Sequence, residues 1–546
     1  MKKIIYLIGA LVLLQSCNST ETIENAALFS EEEYANNLAT LASDEFMGRL
    51  PLTEGEEKTI GFLVEKFKEM GLEPGNGDSF IQEVPLALIT GNPARTMTVK
   101  GAGGEITLEA SVDYSALTDR FEPYTELTDS EIVYAGFGIV APEYGWNDYE
   151  GLDVKGKTVL VLVNDPGFGT EDESFFKGNT MTYYGRWTYK YEEAARQGAA
   201  GILIIHNTAP AGYGWNVVNN NGIGPRLVID TRDSDGYRPA LKGWITNNAA
   251  RNLFGLAGRK NYDIIGEARN PEFQGISLGL TVSMSIENEF KFDKSKNVIA
   301  KITGSTSPNE YILYTSHWDH LGVGAPVNGD SIYNGAADNA TGTAALLSFA
   351  KAFKNSGTQP ERTIIFIAVT AEEQGLLGSE WYAQNPIYPL EQTVANLNID
   401  MMTPNGPTKD LIVIGYGQSE LDDYVESTAG QQDRYVVPDR DPEKGYFFRS
   451  DHFSFAKVGV PAMFLGSGWD HVENGVDYGK SKADEFTTKN YHQPRDEFDR
   501  EKWDLRGSML DMELYYQIGN GLANSNEWPE WKEGSEFKAL RKRQQK

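Results

Sequence analysis

From Asn297 to Leu465 the chain alternates short apolar runs with helix-length stretches, and this alternation constrains the fold more than any other feature. Tyr311–Ser316, Thr363–Val369, Val394–Ile399, Leu411–Ile414 and Pro461–Leu465 read as strands, while Ala340–Phe353 and Gly375–Ala383 read as helices. The strands are continuous runs rather than in/out alternations, so both of their faces must be covered. That predicts an α/β fold with a mostly parallel sheet and helices on both faces, of the phosphorylase/hydrolase-like kind. In such sheets, chemistry gathers just beyond the strand ends.

The remaining sequence adds domains to this body, as 546 residues is too long for one simple core. Residues 30–73 read as helical: Ile60, Leu63, Val64 and Phe67 share a face, and Gly71 fits a C-cap. Residues 93–130 are Thr- and Gly-rich and strand-like. Glu131–Val140, Thr158–Val163 and Gly201–Ile205 predict strands, and Tyr189–Gln197 a helix. Residues 526–546 form a charged tail expected to fray.

At the start, Lys2 and Lys3 precede an apolar run, Ile4–Leu14, that is too short to span a bilayer. Leu14-Gln-Ser-Cys17 reads as a lipobox. This predicts a lipoprotein signal peptide at 1–16, lipidation of Cys17, a polar tether at 17–27 and an extracytoplasmic, membrane-anchored bacterial protein. Cys17 is the sole cysteine, so no internal disulfide and no later thiolate chemistry is available. A net charge of −29 argues against nucleic acid as a partner. Nucleotide is excluded as well. Gly151-Leu-Asp-Val-Lys-Gly156-Lys157-Thr158 has the letters of a phosphate-binding loop, but Val159–Val163 after it reads as a strand, not the helix whose N-terminus would hold phosphate.

Five segments set His, Asp or Glu at strand or loop ends: Thr315–His320, Gly335–Ala340, Thr370–Glu373, Asn398–Met401 and Tyr491–Pro494. Each has an ordinary alternative. Asp338 can cap the next helix, Glu372-Glu373 can be solvated, Asp400 can merely end its strand, and a loop histidine is usually a hydrogen-bonded surface group. Their recurrence at neighbouring strand ends favours a metal site of nitrogen and oxygen donors, a set that suits zinc.

The order His317-x-Asp319, Asp338, Glu372-Glu373, Asp400, His492 resembles the co-catalytic zinc exopeptidases of clan MH, which include bacterial leucyl aminopeptidases and glutamate carboxypeptidase II. The likeness is close over residues 297–500 and looser at Ser43–Arg49. It implies two zinc ions per chain, one held by His317 and Asp400, the other by Glu373 and His492, with Asp338 bridging them. A shared carboxylate would draw the ions to about 3.5–4 Å. The resemblance makes Glu372 the general base, Asp319 the residue orienting the His317 imidazole, and Tyr491 a donor to the oxyanion. The implied activity is hydrolysis at the N-terminus of peptide substrates by a two-zinc, hydroxide-mediated mechanism.

Arg449 resembles a pocket-lining position, able to touch substrate or to pair with Asp451 or Glu443. His206, His320 and His471 are expected to be ordinary hydrogen-bonded side chains. Asp153–Lys157 and Ala194–Asn207 resemble a protease-associated domain, a β-rich α+β insertion assigned to 93–284. That leaves 28–92 and 285–525 as a discontinuous zinc peptidase domain. The loop near Ala209–Gly224 reads either as a cover over the cleft or as an ordinary exposed loop. A carboxypeptidase or dipeptidase on the same fold would keep every zinc ligand, and a non-catalytic surface-binding lipoprotein would be free to lose them. Only about 50 residues follow His492, against the long helical dimerisation region of glutamate carboxypeptidase II. Side-chain preference, oligomeric state and membrane leaflet are not written in the motifs.

Overall fold

The computed structural model describes residues 28–221, 224–259 and 262–544. Residues 1–16 and Cys17 lie outside the described residues. Among the described residues no helix is long and apolar enough to cross a membrane.

Helices α1 (Glu31–Leu41) and α2 (Glu54–Glu69) come first, and α2 ends before Gly71 in the left-handed region. Strand β1 (Ile81–Pro93) then leads away from this body. The chain beyond β1, here termed the insert, supplies two hydrophobic clusters drawn from residues 97–286. Its centre is a parallel ladder of β2 (Tyr124–Tyr134), β3 (Thr158–Leu162), β4 (Gly201–His206) and β5 (Leu241–Thr246), with α3 (Trp187–Arg196) joining β3 to β4. Residues 151–157 turn into β3, so the phosphate-loop letters open a strand. The long strand β6 (Ile276–Ile302) returns to the first body, pairing antiparallel with β1 from Ile286↔Pro93 to Val298↔Ile81. This ladder and the antiparallel pairing of Pro225–Ile229 with β1 join insert and main body.

In the main body, β7 (Ser307–His317) runs parallel to β8 (Arg362–Val369) after the crossover helix α4 (Thr341–Asn355). Helix α5 (Leu377–Gln384) leads to β9 (Thr393–Asn398), which pairs parallel with the other edge of β7. Strand β10 (Asp410–Val413) pairs antiparallel with β11 (Ala462–Ser467), itself parallel to β9. The order is β6-β8-β7-β9-β11-β10. Alternate residues serve opposite faces: Ile312, Tyr314, Ile364 and Phe366 pack under α1, α4 and α6 (Arg506–Ala523), while Leu313, Ile365, Ile367 and Val369 face Tyr382 and Phe455. This is the α/β architecture the apolar runs predict.

The C-terminal stretch departs from expectation. It does not fray: Trp531 and Phe537 are buried, Trp531 Nε1 donates to Gly459 O at 2.9 Å, and Arg541 donates to Leu390 O and Thr393 O. Glu536 accepts from Lys177 Nζ and the Tyr183 amide of the insert. Charge alone misled here, because the stretch also carries aromatic anchors that repay its ordering.

Candidate metal centre

The strand register brings the distant segments together. His317 sits opposite Val369, and Thr315 opposite Asn398, so the residues that follow β7, β8 and β9 emerge at one sheet edge. His317 Nε2 lies 3.3 Å from Asp400 Oδ1 and 3.4 Å from Asp338 Oδ1. The other oxygen of Asp338 lies 3.3 Å from His492 Nε2, which is 3.0 Å from Glu373 Oε2. Asp338 thus gives one oxygen to each of two donor groups, and His317, Asp338, Glu373, Asp400 and His492 all converge. Two sets, His317–Asp338–Asp400 and His320–Asp338–Glu373, hold their ligand atoms within 4.8 Å.

The capping alternative for Asp338 fails, since Asn339 does that work: its Oδ1 accepts from Gly342 N at 2.9 Å and Met401 N at 3.1 Å. Asp338 is left to face the cluster. Its turn is held by Asp496, which accepts from the amides of Ala337 and Asp338. Gly335 precedes it at φ +55, and a Cβ there would fall 2.4 Å from His320 Cγ, so only glycine fits. Ala371, Met401 and His492 also have positive φ, backbone strain placed beside three of the cluster residues.

Glu372 is beside the donors, and no hydrogen bond ties its carboxyl. Burial raises its pKa well above the usual carboxylate value; the His317 charge opposes this, and Asp400, Asp451 and Glu373 reinforce it. Burial acts against protonation of His317, but Glu372, Asp400 and Asp338 outweigh it and hold the imidazole pKa well above normal. Burial likewise opposes the charge on Asp338, and contacts with His317 and His492 more than reverse it, leaving the carboxyl well below its ordinary range.

Asp319 departs from its expected geometry. Its backbone carbonyl, at 3.1 Å, meets His317 Nδ1, whereas its carboxylate is 3.8 Å from that nitrogen. The carboxylate instead accepts from the amides of Glu372 (3.0 Å) and Glu373 (3.3 Å). Asp319 therefore fixes the ring through its main chain and the glutamate turn through its side chain. Tyr491 is 44% exposed and stacks on His492 with ring centroids 3.8 Å apart. Arg449 pairs with neither Asp451 nor Glu443; it donates to Lys444 O at 2.6 Å and lies over Tyr446. His206 and His471 are ordinary hydrogen-bonded residues, with partners Tyr213 O and the Glu473 and Asn474 amides.

His320 is not ordinary. It is fully buried, neither ring nitrogen has a hydrogen-bond partner, and Nδ1 is 2.6 Å from Glu373 Oε1. The signal for it was the His-x-Asp-His spacing directly after a strand. Arg49, also buried, was missed as a support; it donates to the carbonyls of Leu41, Trp318, Asn334 and Gly335, tying the His317 and Asp338 loops together. The atoms of His320, Glu373 and His492 that make no hydrogen bond among the described residues, and meet only as close imidazole–carboxylate contacts, fit divalent cations, because buried polar atoms without a hydrogen bond are costly unless a ligand satisfies them. Imidazole nitrogen and carboxylate oxygen are zinc donors, and a carboxylate facing both sets suits two ions.

An open α/β sheet whose strand ends carry a carboxylate–imidazole cluster for a metal pair defines the class. Residues 297–517 match the model of Peptidase family M28. It is 33% identical over 315 residues to the aminopeptidase NAALADL1 of Rattus norvegicus, covering 50% of this chain and 38% of that one. It is 27% identical over 505 residues to a glutamate carboxypeptidase 2 homolog of Caenorhabditis elegans, covering 80% and 60%. The chain thus spans less than two thirds of either relative. An aminopeptidase structure from Aneurinibacillus sp. strain AM-1 aligns over 92% of this chain and 95% of that one, at 20% identity and TM-score 0.49.

Proposed function

We propose that the chain is a zinc-dependent aminopeptidase that hydrolyses peptides from the N-terminus. The carrying observation is Asp338, with one oxygen toward His317 and the other toward His492, beside a Glu372 whose carboxyl takes part in no hydrogen bond among the described residues. In this reading His317, Asp338 and Asp400 hold one zinc, and Asp338, Glu373 and His492 the other. Bound zinc would polarise the scissile carbonyl and bring the pKa of a water to about 7. Glu372 takes the proton of the attacking water and delivers it to the leaving amine. Its raised pKa in the free chain supports a group able to hold that proton between the two steps. Asp319 holds the Glu372–Glu373 turn in register, and Tyr491 donates to the oxyanion. Incubation with aminoacyl-nitroanilides tests the reading: turnover is expected, abolished by chelator and restored by zinc. Activity that survives complete metal removal would end it. Free-amine peptides should be cleaved and N-acetylated ones spared; the reverse would indicate a carboxypeptidase on the same fold.

Residues 93–284 we read as a protease-associated domain, a reading supported by the approach of the Gly212 loop to Lys444 and Arg449. Lipidation at Cys17, and with it an anchored extracytoplasmic location, rests on the Leu14–Cys17 motif. Metabolic labelling with palmitate should mark the chain and be lost in Cys17→Ser.

A further inference from the structure

His320 stands inside the centre with no role taken from the five motifs, and its surroundings hold it still. It is fully buried. Its amide donates to Arg49 O at 3.4 Å, and a Cβ on Gly335 would fall 2.4 Å from its Cγ and 2.5 Å from its Cδ2. The His492 ring lies edge-on to it, with centroids 5.8 Å apart. Its Nδ1 comes within 2.6 Å of Glu373 Oε1. Glu373 therefore divides its carboxylate: Oε1 goes to His320 and Oε2 to His492, at 3.0 Å. The main chain beneath is fixed as well, because the Glu373 amide donates to Asp319 Oδ2 at 3.3 Å.

Two roles suit a histidine so placed: a donor to a metal ion, as its grouping with Asp338 and Glu373 allows, or a brace behind Glu373. Spacing decides between them. Donors that share a tetrahedral zinc, at bonds of about 2.0–2.1 Å, stand about 3.3 Å apart. The pairs His317–Asp400, His317–Asp338, His492–Asp338 and His492–Glu373 measure 3.3, 3.4, 3.3 and 3.0 Å. The His320–Glu373 pair, at 2.6 Å, is too close to straddle an ion; ring and carboxylate touch directly. On the other side of the centre, the hydrogen bond of the Asp400 carboxylate among the described residues is the one with His317, and no second imidazole stands behind it.

We propose that His320 is a positioning residue: it holds Oε1 of Glu373, so that this carboxylate offers a metal Oε2 alone. The proposal rests on the zinc reading of the centre. A carboxylate free to turn can give both oxygens and fill the place a water or substrate needs, whereas catalytic zinc sites keep one position open. A partner behind a ligating group also raises metal affinity. The ring and the carboxylate touch without a hydrogen bond, and a slight turn of either brings Nδ1 into line with Oε1 and satisfies two buried atoms at once. The brace serves one side of the centre, so its loss tells the two ions apart.

Zinc binding by the full chain is the test, read by elemental analysis and by competition with a chromophoric chelator. The parent is expected to take two zinc ions per chain. In His320→Leu one of the two affinities should fall by about 10- to 100-fold, the usual effect of removing the partner behind a ligand, while the other holds. His320→Asn, whose amide stands where Nδ1 stood, should restore most of the loss; His320→Gln, whose amide stands nearer Nε2, should not. That pair decides the matter if the leucine variant does not fold. Two zinc ions held as tightly in His320→Leu or His320→Gln as in the parent overturn the proposal. Equal loss of both affinities without rescue by asparagine overturns it too, since a merely structural histidine would behave so. A crystal structure of the zinc-loaded chain with a ring nitrogen of His320 at about 2.1 Å from an ion would make it a ligand and end the brace. A parent that takes up no zinc removes the zinc reading and the brace together, whereas two zinc ions without peptide turnover remove the aminopeptidase alone.

Discussion

The insert and the peptidase body each bury a knot of opposite charges, and the two are finished differently. In the insert, Lys190 Nζ donates to Asn164 O at 2.8 Å, Asp165 accepts from Thr182 N, Thr182 Oγ1 and Gly167 N, and Asp148 accepts from Ile139 N and Trp146 Nε1. Every one of these groups has a partner. In the body, both nitrogens of His320, Glu373 Oε1, His492 Nε2 and both oxygens of Asp451 lack a hydrogen bond. A closed polar network specifies a conformation, whereas an open one awaits a ligand. The difference separates scaffold from site.

The sharpest way to break this comparison is Asp338→Ala. It should empty both metal positions by elemental analysis and lower turnover roughly 10,000-fold or more; full zinc content would show that Asp338 does not bridge. Next, Glu372→Gln should keep two zinc per chain and lose about 100- to 10,000-fold in turnover. Unchanged turnover would remove Glu372 as the base. In the insert, Lys190→Met should leave zinc content alone and cost about 3–5 kcal/mol in chemical denaturation, as expected when one partner of a buried charge set is removed. Loss of zinc without loss of stability would reverse the roles assigned to the two knots. Asp319→Ala should weaken zinc affinity by about 10- to 100-fold, because the glutamate turn loses its anchor.

The smallest effect is one of pH. Burial opposes the charge on His492, but Asp338 and Glu373 raise its pKa from 6.5 to about 10 in the metal-free chain. Stability from that imidazolium is fully present below pH 6.5 and is lost as pH rises through about 10. Zinc needs the neutral nitrogen, so its binding must expel protons, and affinity should climb between pH 6 and 8 by up to about tenfold per unit for each proton released. Calorimetry in buffers of different ionisation enthalpy counts those protons; none released would mean the imidazoles are already neutral.

Much of the centre was legible because its ligands follow strands whose composition is unmistakable. Ile- and Val-rich runs fix β7, β8 and β9, and parallel register then carries His317, Glu373 and Asp400 to one edge. His320 was passed over despite its spacing after β7, because a buried histidine and a surface one look alike in sequence; its packing against Glu373 separates them. For Asp319, spacing cannot tell a carbonyl contact from a carboxylate contact with His317. Arg49 lies 269 to 286 residues before the Trp318, Asn334 and Gly335 carbonyls it binds, and no local pattern reports such a distance. The docked C-terminal stretch was hidden by its lysines and arginines, although Trp531 and Phe537 were in plain view.

That docked stretch also sets an order of events. Residues 531–541 are synthesised after every strand and every donor of the centre, yet Glu536 and Phe537 complete the joint on which Tyr183, and next to it Arg186, is seated. The seam between insert and main body is therefore closed by a segment that supplies no donor to the centre, so removing residues 531–541 should loosen the insert while every donor stays in the chain.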